Sequence, residues 1–73
     1  MADETTSEAL TYRQRQAAET RARIAQAARQ VFADRGYGAA NITDVAQAAG
    51  VAVPTVYKLY GNKRALLAAI ADA

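Results

Sequence analysis

Apolar residues recur along this chain at helical spacing, in four stripes separated by glycines. The first comprises Ile24, Ala27, Ala28, Val31 and Phe32. They share one face of a helix expected from about Glu19 to Arg35, with Arg21, Arg29 and Asp34 turned to water. The second sets Ile42, Val45, Ala46 and Ala49 at i, i+3, i+4 and i+7, predicting a helix over 42–49. The third is shorter: over 53–60, Val56 and Tyr60 point inward while Thr55 and Lys58 point broadly away. The last, Leu66, Leu67 and Ile70, predicts a helix over 62–72. Every stripe has the helical period, so an all-α fold is expected: a small helical bundle.

The residues between the stripes say where each helix stops and starts. Gly36 and Gly61 end the first and third helices, and Gly50 ends the second in a left-handed conformation that costs glycine nothing. Tyr37 follows Gly36 and is expected to fold back onto the core, with Gly38, Ala39 and Ala40 as the connection. Asn41 is placed to cap the second helix, and Asp44 three residues on makes a variant of the capping box. Asn62 is placed to cap the last. The second and third helices, joined by a short turn containing Gly50, have the layout of a helix-turn-helix.

Ahead of these helices, MADETTSEA is small, polar and acidic and is expected to be disordered. Residues 10–18 are fair helix formers carrying Arg13 and Arg15. They suit a flexible arm lying along phosphates or in a minor groove, and equally a helical extension that touches nothing. The chain thus divides into an arm over 1–18 and a domain over 19–73.

Composition narrows the chemistry. A chain of 73 residues without cysteine or histidine has no disulfide framework, no thiolate metal site and no imidazole base. Its carboxylates are scattered, so neither catalysis nor a metal or other cofactor is expected. All nine basic residues fall between Arg13 and Arg64, a span holding only Glu19, Asp34 and Asp44 of the seven acidic ones. That balance suits a polyanionic partner. No apolar run is long enough to span a bilayer, and the acidic start is no signal peptide, so a cytoplasmic location is expected. The sequon Asn41-Ile42-Thr43 is discounted for the same reason.

The segments RIAQAARQVFADRGY, NITDVAQAAGV, PTVY and NKRALL, in this order and spacing, resemble the N-terminal DNA-binding domain of the tetracycline-repressor (TetR) family of bacterial transcription regulators. The resemblance runs from about Arg21 to Ile70. It implies four helices, the third entering the major groove of an operator in double-stranded DNA, and a regulator that is usually a repressor. Carried over by position, the DNA contacts are Thr43 at the start of helix two; Val53, Pro54, Thr55, Tyr57, Lys58 and Leu59 on helix three; and Lys63 at the start of helix four. Tyr57 and Lys63 match the family pattern best and look like phosphate contacts. The resemblance also implies a second, C-terminal domain that forms a homodimer and binds a small-molecule inducer. That domain would follow Ala73, so the present chain is expected to be monomeric.

Ala52 stands where a serine cap is common, and Val53 and Leu59 cannot hydrogen-bond a base edge. Leu59 could instead touch a thymine methyl, but it also flanks the core stripe. Two other classes of function stay open: a helical protein-interaction module, and a basic amphipathic segment on a membrane surface. The glycines at 36, 50 and 61 argue against the latter by dividing the chain into short, core-forming helices.

Overall fold

In the computed structural model, which describes the backbone of residues 2–71 and the side chains of 11–71, four helices follow one another: α1 (Ala2–Arg35), α2 (Ile42–Ala49), α3 (Val53–Tyr60) and α4 (Lys63–Ala71). The bounds of α2 and α3 are those the apolar pattern predicts. Position 62 is not the first residue of α4 but its cap: Asn62 Oδ1 accepts from the Ala65 amide at 2.7 Å. The expected last helical position, 72, lies outside the described residues.

The first helix is longer than expected. The predicted span 19–35 forms the C-terminal half of a helix that starts at Ala2. Periodicity could not reveal the extension, because side chains 11–16 are all exposed and carry no apolar stripe. Local propensity accounts for it. Residues 2–35 contain neither Gly nor Pro and are rich in Ala, Glu, Gln and Arg, which lose little on becoming helical. The expectation that the first nine residues have nothing to pack concerns side chains outside the described residues.

The core is small and made largely of small residues. Ile24, Val45, Val56 and Leu66, at least one from each helix, are its largest fully buried side chains. Among the described side chains, alanine supplies five of the eleven buried hydrophobic residues (Ala27, Ala28, Ala40, Ala46 and Ala49). Short side chains let α2 lie close against α1. Ala40, which reads in the sequence as plain connection, is 2% exposed and belongs to this core. α4 packs on α1, and α3 packs on both α2 and α4. A hydrogen bond from the Tyr60 hydroxyl to the Arg21 carbonyl, 2.9 Å, joins the end of α3 to α1.

Candidate nucleic-acid interface

The α2–α3 unit is held by its caps. At the start of α2 the Asn41 side chain accepts from the Asp44 amide at 2.8 Å, and the Asn41 amide donates to Asp44 Oδ2 at 3.4 Å. This is the reciprocal capping box that Asn41 and Asp44 predict. The Arg35 guanidinium sits 3.0 Å from the same carboxylate oxygen, so the end of α1 is tied to the start of α2. At the other end, Gly50 has φ +73° and ψ +32°. Its amide donates to the Gln47 carbonyl at 3.2 Å, and the Val51 amide donates to Ala46 at 3.0 Å. Together these form a Schellman motif that satisfies two carbonyls of α2 and turns the chain sharply.

α3 begins less firmly. Ala52 has the extended conformation of a cap residue but offers no side-chain hydrogen bond. Pro54 in the first turn costs nothing there, since its missing N–H would have no helical partner. Val56 is 1% exposed and anchors the helix, while Val53, Leu59 and Tyr60 are half-buried against the core.

Pro54, Tyr57 and Lys58 are exposed, and their i, i+3, i+4 spacing makes them one outward face of α3. Tyr57 is 49% exposed, too open to be a core-edge ring. Thr55, expected on the outer side, is half-buried. The free face of α3 is therefore rotated toward Tyr57 relative to the expectation from sequence. Val53 and Leu59 spend part of their surface on the core, which leaves Lys58 as the exposed charged side chain of this face. Thr43 is exposed in the first turn of α2.

Lys63 stands in the first turn of α4, half-buried, with its ammonium 4.2 Å from the centroid of the Tyr37 ring. Tyr37 does not sink into the core as expected. It stays 40% exposed and meets Phe32 edge to face, centroids 5.6 Å apart at 67°. A contact between residues 26 positions apart, closed by a loop, has no periodic signature in the sequence. Arg13 and Arg15 are exposed on α1, and Arg13 lies eleven residues ahead of Ile24, the first buried residue among the described side chains, or about 16 Å along the helix axis. Arg35–Asp44 is the one ion pair among the described residues, so the other cations from Arg13 to Arg64 have no acidic partner there.

Comparison with known proteins gives a consistent picture. The model of a family described as bacterial regulatory proteins, tetR family, matches residues 24–70. The chain is 40% identical over 52 residues to the HTH-type transcriptional activator FasR of Mycolicibacterium smegmatis, covering 71% of this chain and 24% of that protein. It is 39% identical over 57 residues to the HTH-type transcriptional regulator TtgR of Pseudomonas putida, covering 78% of this chain and 27% of that protein. The same figures hold for the probable HTH-type transcriptional regulator ArpR of Pseudomonas putida. The chain thus spans about a quarter of the length of the curated relatives it matches. No solved structure matches at comparable significance.

Proposed function

The chain belongs to the TetR family of bacterial regulatory proteins, DNA-binding regulators rather than enzymes, and on that premise we propose that it binds operator DNA by laying α3 in the major groove. The single observation that carries this reading is the exposed Pro54–Tyr57–Lys58 face on a helix otherwise anchored by Val56. A major groove about 12 Å wide admits such a helix. Lys58 reaches toward base edges, and Val53, Thr55 and Leu59 contribute the surface they keep outside the core. The Tyr57 hydroxyl and the Lys63 ammonium meet phosphate oxygens on either side, with Thr43 at the start of α2 a further backbone contact. Cations along α1 with no acidic partner among the described residues, Arg13 and Arg15 among them, add sequence-independent attraction.

An amide-shift titration with a duplex tests the arrangement. Shifts concentrated at Thr43, at 53–59 and at Lys63 are expected; shifts confined to α1 would defeat it.

At the level of the whole regulator we read the protein as a cytoplasmic repressor acting as a homodimer, with a small-molecule inducer bound outside the present residues. Occupying an operator suffices to exclude another protein, whereas activation needs an added contact surface. One relative is named an activator, so the sign is to be read from a reporter. Expression from the target promoter should rise when the gene is deleted, and a fall would reverse the assignment.

A further inference from the structure

Lys63 differs from the other basic side chains in having an aromatic partner. Its ammonium lies 4.2 Å from the Tyr37 ring centroid, and that ring itself meets Phe32 in an edge-to-face pair. A lysine on four rotatable bonds normally samples many positions, and fixing it on a phosphate costs rotamer freedom. The ring face attracts the cation through its quadrupole and thereby narrows those positions before any ligand arrives. One face of the ammonium is turned to the ring, leaving its remaining N–H groups for phosphate oxygens. Tyr37 keeps 40% of its surface open, so the pair is not sealed inside the core. Among the described residues the Tyr37 hydroxyl makes no hydrogen bond, so its contact with Lys63 is made by the ring.

We propose that Tyr37 is a positioning residue for DNA binding: it holds the Lys63 ammonium ready for a phosphodiester oxygen at the start of α4, and so raises affinity without touching the duplex. This rests on the reading that Lys63 is a phosphate contact. Its first half, the held lysine, can be measured without DNA.

The test uses the 73-residue chain and its Y37F, Y37L and K63A variants, with the Y37L/K63A double variant closing a cycle. In the free protein, the Lys63 side-chain protons should show an upfield ring-current shift that Y37F keeps and Y37L loses. With a labelled duplex, Y37F should bind like the parent and Y37L about two- to five-fold more weakly, the size expected of an exposed cation–π pair. In the K63A background, Y37L should have no further effect. A Y37L loss that persists in K63A would assign the effect to packing on Phe32 and overturn the proposal. Y37F binding as weakly as Y37L would overturn it too, by making the hydroxyl a direct contact. A parent-sized ring-current shift combined with K63A binding at parent affinity would refute the phosphate contact while leaving the held lysine in place. Absence of the shift in the free parent would refute the held lysine itself.

Discussion

On the proposed arrangement Lys63 and Lys58 are both single charges near the duplex, and their surroundings give them different tasks. A phosphate contact carries no sequence information, whereas a base-edge contact does. Lys63→Ala should therefore weaken binding to every duplex about equally and reduce the salt slope by about one contact. Lys58→Ala should instead change the ranking among duplexes. Anisotropy titrations on several labelled sequences at three salt concentrations measure both, and an unchanged ranking after Lys58→Ala would remove it as a reader. Ala52 invites the opposite kind of change. Its backbone already has cap geometry, φ −76° and ψ 149°, and lacks only a side-chain acceptor. Ala52→Ser should raise stability by about 0.5–2 kcal/mol, the usual worth of an N-cap. A thermal midpoint unmoved or lowered would mean that the start of α3 is satisfied some other way.

At the scale of the elements, the turn between α2 and α3 depends on one backbone angle. A Cβ at Gly50 would meet nothing within 4 Å, so the cost of Gly50→Ala is conformational alone. At φ +73° that strain is about 1–2 kcal/mol. Denaturant unfolding should register this loss, whereas an equal or higher midpoint would show that the turn has relaxed. Leu66→Ala attacks the anchor of α4 and should cost about 2–5 kcal/mol. A core of this size seldom supplies more than about 3–5 kcal/mol, so that variant should be largely unfolded by circular dichroism.

These same elements show what a sequence displays and what it hides. The bounds of α2 and α3, the Asn41–Asp44 box and the Gly50 turn are local, each written within a few consecutive residues. The burial of Ala40 and the Tyr60–Arg21 and Tyr37–Lys63 contacts depend on chain segments meeting in space. The N-terminal half of α1 is hidden for a third reason: it has helix propensity, but its described side chains 11–16 are all exposed and leave no periodic stripe. The rotation of the α3 face toward Tyr57 follows from Thr55, Leu59 and Val53 sharing in the core. An ideal wheel cannot foresee that sharing, because it depends on how far α2 and α4 reach around the helix.

For the molecule as a whole, the exposed large hydrophobic residues among the described side chains are three tyrosines, Tyr12, Tyr37 and Tyr57. They stand on α1, on the loop after it and on α3, too few to supply the apolar centre of a stable interface of about 1,200–2,000 Å². This 73-residue chain should sediment as a monomer at high concentration, and a concentration-independent dimer would contradict that. Its affinity for an arbitrary duplex should be about 10⁻⁴–10⁻⁶ M at physiological salt and fall steeply as salt rises. A flat salt response would speak against binding by the chain's cations.

The hydroxyl of Tyr60 gives α1 a mechanical part to play. Its acceptor is a main-chain oxygen, which no rotamer change of Arg21 can withdraw. The trailing end of α3 is thus pinned to a fixed point on a 34-residue rod, while the end of that rod is clamped to the start of α2 by Arg35 and Asp44. α3 then behaves as a blade on a shaft. On the proposed arrangement, whatever grips α1 and twists it by a few degrees also resets the pitch at which the blade meets the duplex.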